Sequence, residues 1–432
     1  MSSIIKPRVL KGFRDFLPET EIERKATESK LEKNFESFGF VPIDTPALEY
    51  TEVLLGKGGG ETDKQVYNFR DSGKRDVSMR FDLTVPFARY IAQHREELYL
   101  PFKRYHIAKV WRGENTQRGR YREFTQCDFD IVGVDSPSSD FEIMLMMQNS
   151  LAALNVKDIT IRFSHRGIFN RMLETLCLKD KTVEVLRIVD KLSKIGEVKV
   201  IEMLEEITTP ENALKILDFI KPSKDFRKTL DKMIFLAGGP DEDSNRLEEI
   251  YSYIKENHIE NSFLLDPSIT RGLDYYTGLV YETFLNELPE MGSVCSGGRY
   301  NNLASLYTKE KLPGVGASIG LDRLLAGLEV LGKKSNRKSL TDLLILVLDN
   351  NLIGHYHKIA NKFRKAGINT EVFPIKKKIQ QQFKYAENKS IPFVIFCGEE
   401  EKENKTVNLK SLLSKENYES ISLDMAKDII LK

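Results

Sequence analysis

The chain has 432 residues, 41% hydrophobic and 30% charged, so it is too long for one ordinary core and too apolar to be disordered. We therefore expect two or three domains. The 65 basic and 64 acidic residues leave a formal charge of +1, which excludes a global positive field as the basis of nucleic-acid binding; any such contact must be local.

The N-terminal part predicts a helix followed by strands. Residues 18–38 favour a helix, because proline suits the first turn, acidic residues follow it, and Gly39 can provide a left-handed end. The next segment, FVPIDTPALE, is strand-like. From about Ser78 to Gly133, arginine, aromatic and β-branched residues alternate with turn signals, which predicts the strands of an antiparallel sheet.

The residue composition and periodicity change twice in the middle of the chain. Residues from about Arg171 to Asn261 are rich in Lys and Glu, with helical periodicity and few glycines. Strand and turn character returns at Arg271 and ends in a helix with i, i+3, i+4, i+7 apolar spacing. The spaced residues are Leu321, Leu324, Leu325 and Leu328. We therefore predict an α+β domain over residues 1–330, with residues 171–261 as a helical insertion.

The C-terminal part has its own pattern. The stretch GKKSNRKS combines turn formers and charges without periodicity, which predicts a linker at residues 331–340. Beyond it, apolar runs such as LLILVL and PFVIFCG alternate with helical stretches. This alternation is typical of a small α/β domain with a parallel or mixed sheet, which we assign to residues 341–432.

Cysteine usage and hydropathy predict a cytoplasmic protein. Cys127, Cys177, Cys295 and Cys397 lie far apart, without close CxxC pairs or the density of a disulfide scaffold. Neither a signal peptide nor a membrane helix is predicted, because no run of about 18 apolar residues occurs. The histidines show no ligand spacing, so we assign no metal to side chains.

Residues 104–133, RYHIAKVWRGENTQRGRYREFTQCDFDIVG, predict two strands joined by a loop. The first strand ends near Trp111, and the second runs from about Arg122 to Val132. Period two gives the second strand one polar and one largely apolar face. The polar face carries Phe124, Gln126, Asp128 and Asp130, and the other carries Thr125, Cys127, Phe129 and Ile131. An exposed antiparallel face without any ligand would show the same alternation.

The loop between these strands indicates phosphate binding. Arg112, Arg118, Arg120 and Arg122 lie close together, with too few acidic neighbours to pair them all. Guanidinium groups stay charged and can bind phosphate with two parallel hydrogen bonds. The segment resembles motif 2 of the class II aminoacyl-tRNA synthetases, in a form close to the histidine-specific branch.

The resemblance to motif 2 implies several roles. Arg112 would hold the α-phosphate of ATP and the amino-acid carboxylate, Phe124 would stack on adenine, and Arg120 would also bind ATP. Gln117 and Arg118, in the loop, would meet the acceptor end of the tRNA.

Three further segments resemble the histidyl-tRNA synthetase family. ITRGLDYYTGLVYETF, from Ile269, is similar to a block peculiar to that family, and GSVCSGGRYNNL, at 292–303, to a second block. GVGASIGLDRLLAGL, from Gly314, resembles motif 3, which implies that Arg323 contacts the γ-phosphate. An anionic ligand would offset the cost of a cation in a first helical turn. FVPIDTPALE resembles motif 1, which places Pro46 at a dimer interface.

The resemblance implies an enzyme that activates L-histidine with ATP and Mg²⁺ and transfers it to the 3′ end of tRNA(His). The chain would act as a homodimer, with Arg112 and Arg271 as catalytic arginines on opposite sides of the α-phosphate. Both would also belong to the histidine site. Its other members would be Asp82, Leu83, Thr84, Gln126, Asp130, Tyr275, Tyr276 and Tyr300.

Other functions are compatible with parts of the pattern. A non-catalytic regulator of histidine biosynthesis shares the core, but such proteins lack the C-terminal domain and lose the histidine-specific blocks. A sensor of uncharged tRNA would be attached to an output domain such as a kinase. Prolyl, threonyl and glycyl enzymes share motifs 2 and 3, but the RGLDYYTG block argues against them. The sequence does not indicate which residues read the anticodon.

Overall fold

The computed structural model describes residues 4–56, 65–269, 275–333 and 337–432. The chain divides into two compact units, residues 1–15 with 27–334 and residues 16–26 with 335–432. Arg271 lies outside the described residues, as does part of the predicted linker.

The described strands, in chain order, are β1 (Val41–Pro42), β2 (Leu48–Tyr50), β3 (Asn68–Arg70), β4 (Asp76–Met79), β5 (Phe102–Trp111), β6 (Glu123–Val132), β7 (Ile159–His165), β8 (Phe263–Leu265), β9 (Leu279–Leu285), β10 (Cys295–Arg299), β11 (Gly314–Gly320), β12 (Leu343–Ile345), β13 (Thr370–Val372), β14 (Phe393–Phe396), β15 (Thr406–Ser411) and β16 (Asn417–Ser422).

The described α-helices are α1 (Pro18–Ser37), α2 (Thr51–Leu55), α3 (Thr84–Gln93), α4 (Pro137–Ala153), α5 (Arg166–Thr175), α6 (Thr182–Val189), α7 (Leu192–Glu205), α8 (Pro210–Ile220), α9 (Phe226–Leu236), α10 (Glu242–Glu256), α11 (Leu321–Val330), α12 (Ile353–Lys365), α13 (Ile379–Asn388), α14 (Glu399–Asn404) and α15 (Leu423–Leu431). Among them, no helix combines the length and the apolar character needed to cross a membrane.

The large sheet of the first unit has the strand order β1-β5-β6-β11-β10-β9-β7-β8. Its six inner strands pair antiparallel, which confirms the predicted antiparallel sheet. The outermost pairs, β1 with β5 and β7 with β8, are parallel. A small antiparallel sheet, β2-β4-β3, accompanies it.

The apolar face of the large sheet forms the core of the first unit. Phe129 of β6 is fully buried, and its ring centroid lies 4.9 Å from that of Phe35 in α1. Met144 and Met147 of α4 are also fully buried in this core. The alternation predicted for β6 is therefore confirmed on its apolar side, and the opposite face is left for polar groups.

Helix α3 departs from the prediction of strands throughout residues 78–133. Its apolar residues Val85, Phe87 and Ile91 are buried. The carboxylate of Asp82 accepts the backbone N–H of Val85 at 3.1 Å, so it satisfies one of the amides that a helix start leaves without a partner. Pro86 fits the first turn, where its missing N–H costs nothing. Helix α1, in contrast, agrees with the prediction for residues 18–38.

The chain between β7 and β8 forms the helices α5 to α10. Side-chain caps start several of them: Thr209 accepts the backbone N–H of Asn212, and Asp225 that of Lys228. These helices share the core of the first unit through residues such as Leu230 and Ile250, which are fully buried.

The second unit contains a five-stranded sheet in the order β13-β12-β14-β15-β16. Strands β13, β12 and β14 run parallel, and β14, β15 and β16 pair antiparallel, so the sheet is mixed, as predicted. Strand β16 was not anticipated because it is a largely exposed edge strand, NYESIS, without apolar alternation. Helix α14 is short and has no buried residue, so it too lacked a hydrophobic signal.

Candidate active site

A cavity of about 360 Å³ lies on the polar face of the large sheet, bordered by β6, β9, β10 and β11. The strand register brings distant segments together here, since Gln126 of β6 pairs with Gly320 of β11 and Asp130 with Gly316. Most of the predicted site residues line the cavity. They are Asp82, Thr84, Arg112, Arg120, Phe124, Gln126, Asp130, Tyr275, Tyr276, Tyr300 and Arg323.

Three predicted residues that the structure describes are not part of this lining. Leu83 is fully buried beneath it, and its carbonyl accepts an N–H of Arg104 at 3.4 Å. Gln117 and Arg118 are exposed at the tip of the loop between β5 and β6, where Gln117 and Arg120 exchange two backbone hydrogen bonds in a tight turn. Arg271 lies outside the described residues.

One end of the cavity is built around Asp130. The hydroxyl of Tyr300 donates to Asp130 Oδ1 at 2.5 Å, and Arg104 Nη2 lies 2.8 Å from Oδ2. Arg104 is completely buried, with its guanidinium 4.2 Å from the centroid of the Phe87 ring. Burial raises the pKa of Asp130, and the guanidinium of Arg104 opposes that rise. Asp130 is thus a fixed acceptor at the inner end of the cavity.

The Asp130 carboxylate occupies space that is open only because Gly316 has no side chain. A Cβ atom at this position would come within 1.9 Å of Asp130 Oδ1 and within 2.8 Å of the Phe129 carbonyl oxygen. Both distances are too short for any side chain. The glycine of β11 is therefore required by the close approach of β6 and its carboxylate.

Asp82 and Tyr275 form a second polar group beside Asp130. The Tyr275 hydroxyl donates to Asp82 Oδ2 at 3.2 Å, and the ring of Tyr275 lies edge-on to those of Tyr276 and Tyr300. Burial raises the pKa of Asp82, while the nearby Arg112 lowers it. This arrangement places a carboxylate next to aromatic walls, which suits an ammonium group.

Asp128 lies behind the cavity lining, on the same face of β6. It is 1% exposed, and Thr84 Oγ1 donates to its Oδ2 at 3.5 Å. Burial raises the pKa of Asp128 to about 7, Arg104 opposes this rise, and Asp130 and Asp82 add to it. Three carboxyl groups therefore share one buried arginine.

Replacing Asp128 with asparagine is expected to change stability in a pH-dependent way. A carboxyl whose pKa is raised on folding costs the folded state stability as pH rises from its unfolded value, about 4, through its folded value. Asp128→Asn should therefore match the wild type near pH 4 and unfold at a higher temperature than the wild type at pH 8. Thermal unfolding of both proteins across this range tests it, and a difference in midpoint that does not change with pH would contradict it.

The other end of the cavity is cationic. Arg112 Nε donates to the carbonyl of Phe81 at 2.8 Å, and Arg323 Nη1 to that of Ser293 at 2.7 Å. Arg120 forms an ion pair with Glu114. Burial lowers the pKa of Arg323, and so do the two neighbouring arginines, whereas nearby carboxylates raise it. Three crowded guanidinium groups with fixed orientations are suited to a polyphosphate.

Phe124 lines the cavity next to Arg112 of the cationic end. The guanidinium of Arg112 is 5.2 Å from the centroid of its ring. A planar aromatic group beside phosphate-binding arginines offers a stacking surface for a nucleotide base.

Several residues of this site were not predicted from the sequence. Glu114 and Glu282 line the cationic end, and Ser318 accepts the side-chain N–H of Gln126 at 2.9 Å. Asp322 is 3% exposed; it accepts the backbone N–H of Thr125 at 2.7 Å and pairs with Arg14. These contacts fix the start of α11 against β6. Of this set, Glu282 had a signal, because period two in β9 puts it on the face opposite the buried Tyr281.

No cluster of three or more His, Cys, Asp or Glu side chains arranged to hold a metal ion occurs among residues 4–56, 65–269, 275–333 and 337–432.

An antiparallel sheet whose polar face combines a carboxylate-and-tyrosine pocket with a group of arginines defines a class II aminoacyl-tRNA synthetase. The family model described as Histidyl-tRNA synthetase matches residues 12–324, and that described as Anticodon binding domain matches residues 342–432. The chain belongs to the histidyl-tRNA synthetase family.

Individual relatives agree with this assignment. The chain is 57% identical to a histidine–tRNA ligase of Treponema denticola over 93% of this chain and 91% of the relative. It is 47% identical to that of Rhodopirellula baltica over 96% of both chains. The crystal structure of histidyl-tRNA synthetase from Nostoc sp. superposes with a TM-score of 0.89, at 33% identity, over 99% of both chains.

Proposed function

We propose that this protein is a histidine–tRNA ligase, which activates L-histidine with ATP to histidyl-adenylate and pyrophosphate and then transfers histidine to the 3′ end of tRNA(His). The observation that carries the proposal is the cavity itself, where Asp130 and three tyrosines adjoin Arg112, Arg120 and Arg323. The family and the names of the relatives support the same activity.

Activation requires positioning and charge stabilisation rather than a covalent enzyme intermediate. An oxygen of the histidine carboxylate attacks the α-phosphorus of ATP, and the bond to the bridging oxygen breaks with release of pyrophosphate. Arg112, whose Nε donates to the Phe81 carbonyl and whose Nη1 lies 3.8 Å from Glu114 Oε1, would bind the α-phosphate through its guanidinium. Arg271 would act from the opposite side, and Arg323 on the γ-phosphate. Guanidinium groups held in place stabilise the charge that develops in the transition state.

Transfer follows in the same cavity. A terminal ribose hydroxyl of the tRNA attacks the carbonyl carbon of the adenylate, and AMP leaves with the bonding electron pair. The exposed loop tip at Gln117 and Arg118 is the part of this site that we assign to the tRNA acceptor end. Its position next to Arg120, which lines the cavity, supports that assignment.

Selectivity for histidine would come from hydrogen bonds to the imidazole. Asp130 is the proposed acceptor for an imidazole N–H, and one of the neighbouring tyrosines the partner of the other nitrogen. Asp82 and Thr84 would bind the α-ammonium group, with Gln126 beside them. A site built on such hydrogen bonds rejects analogues that lack them, because buried polar groups are then left unpaired.

Magnesium is proposed to bind together with ATP. Mg²⁺ prefers oxygen ligands and often binds through substrate phosphates and one or two carboxylates. Glu282, which lines the cationic end and lies near Arg323, is a suitable carboxylate for it. When bound, the ion would neutralise part of the charge of the leaving pyrophosphate.

We also propose that two copies of the chain associate as a homodimer. Pro46, in the segment similar to motif 1, precedes the small sheet β2-β4-β3. Large apolar side chains are about half exposed there and on β1: Val41 at 46%, Leu48 at 45%, Tyr50 at 50% and Phe69 at 48%. Several large apolar side chains left exposed favour a protein interface. Sedimentation of the purified protein would measure the mass in solution.

These proposals assign a role to each part of the chain. Residues 1–330 would form the catalytic domain with the helical insertion at 171–261, residues 331–340 the linker, and residues 341–432 the anticodon-binding domain. We propose a cytoplasmic location, where the four cysteines would remain reduced thiols.

The full proposal is tested by measuring the attachment of histidine to tRNA. Purified protein with ATP, Mg²⁺ and labelled histidine is expected to attach label to tRNA(His) and not to a tRNA of different identity. Label on neither tRNA, with a folded protein and intact ATP, would contradict the transfer step.

A further inference from the structure

A buried group of charges lies behind the cavity, where β10, α4 and α10 meet. Asp140 of α4 is fully buried; its Oδ1 accepts Nε of Arg299 at 2.8 Å, and its Oδ2 accepts Nε of Arg246 at 2.5 Å. Arg246 belongs to α10, and its Nη1 also lies 2.8 Å from Asp135. Arg299, at the end of β10, is 1% exposed. We call these four residues, Arg246, Asp135, Asp140 and Arg299, the Asp140 cluster.

The Asp140 cluster is connected directly to the histidine pocket. Arg299 immediately precedes Tyr300, whose hydroxyl holds Asp130. The carbonyl of Arg299 accepts the backbone N–H of Thr277 at 2.7 Å, and Thr277 follows Tyr276. The two arms of the pocket that carry Tyr276 and Tyr300 are thus tied together at Arg299.

Charge and burial show why this arrangement fixes geometry. Each carboxylate oxygen of Asp140 faces a different arginine, so the side chain has one orientation that satisfies both. Removing one partner from a buried ion pair leaves an uncompensated charge, which makes the surrounding structure shift. Because Arg246 comes from the helices between β7 and β8, α10 is linked through Asp140 to the strand that carries Tyr300.

We propose that Arg246 is a positioning residue for the histidine pocket, acting through Asp140 and Arg299 on Tyr300 and hence on Asp130. The proposal rests on the proposed function, since it assumes that this end of the cavity binds histidine. The arginines of the cationic end have other anchors, the carbonyls of Phe81 and Ser293. Arg246 should therefore affect histidine binding selectively.

The test compares Arg246→Gln with Arg227→Gln in histidine-dependent exchange of pyrophosphate into ATP. Arg227 of α9 pairs with Glu248 of α10 at the surface, so this control removes the same charge from the same group of helices. We expect Arg246→Gln to raise KM for histidine by about fivefold to tenfold, as small misplacements of a binding group do, with KM for ATP unchanged. Arg227→Gln should change neither constant.

If Arg246→Gln does not fold, Arg246→Lys replaces it. Lysine keeps the charge but loses the fork that reaches both Asp135 and Asp140, so the same pattern of KM values is expected at smaller amplitude. Unchanged KM for histidine, or an equal rise for histidine and ATP, would overturn the proposal. Absence of exchange by the wild type would instead count against the proposed function.

Discussion

Arg112→Ala is expected to reduce kcat for histidine-dependent pyrophosphate exchange by about two to three orders of magnitude, the usual loss for one preorganised group that stabilises transition-state charge. Arg112 lines the cavity between Asp82 and Phe124, and its Nε is fixed by the Phe81 carbonyl. In the proposed mechanism, its guanidinium binds the α-phosphate of ATP. An interaction realised mainly in the transition state lowers kcat more than it raises KM. Steady-state kinetics with varied ATP and histidine measure both effects.

Two further variants accompany Arg112→Ala, one as a surface control and one as a test of the second catalytic arginine. Arg95→Ala removes a surface arginine that pairs with Glu310 at 2.9 Å, and it should leave exchange unchanged. Arg271→Ala is expected to abolish adenylate formation almost completely, because Arg271 is assigned to the opposite side of the same phosphate. Substantial activity in either catalytic variant would remove that arginine from the reaction.

Asp130→Asn is expected to lower kcat/KM for histidine by about two orders of magnitude, which corresponds to about 3 kcal/mol for a lost hydrogen bond to a charged group. The carboxylate of Asp130 is held by Tyr300 and Arg104, so the substitution replaces a fixed anionic acceptor with an amide. It also removes the negative charge that lies 2.8 Å from the completely buried Arg104. A lower unfolding temperature should accompany the kinetic loss.

Asp128→Asn is the matched control for this prediction. Asp128 lies two residues away on the same face of β6, and both variants exchange a carboxylate oxygen for an amide nitrogen. Unlike Asp130, Asp128 does not line the cavity. Its variant should retain most of the kcat/KM for histidine. Equal losses in the two variants would mean that general disturbance of β6, rather than contact with the imidazole, causes the effect.

Much of the fold was predictable because the relevant patterns are local. The apolar side of β6, the start of α1 at Pro18 and the alternating elements after residue 341 each follow from periodicity, proline placement or turn residues. Helix α3 was missed because the aromatic and β-branched residues of its segment favour strands, although Asp82 and Pro86 are local signals of a helix start.

The candidate site was predictable to the extent that its residues stand in motifs. Those in the segments around β6 and α11 and in the tyrosine-rich block come together in one cavity. The residues that hold them were not predictable, because Arg104 and Gly316 acquire their roles only through the pairing of β6 with β5 and β11. Glu114 and Asp322 similarly depend on contacts across the folded chain.

The most direct test of the assignment is exchange of labelled pyrophosphate into ATP, run with each amino acid separately, with magnesium and without tRNA. Exchange with histidine alone is the predicted result, and it would establish both the activation chemistry and its specificity. Exchange with a different amino acid would contradict the roles given to Asp130 and the tyrosines. No exchange with any amino acid, in a folded protein, would contradict the ligase assignment and favour a regulatory role.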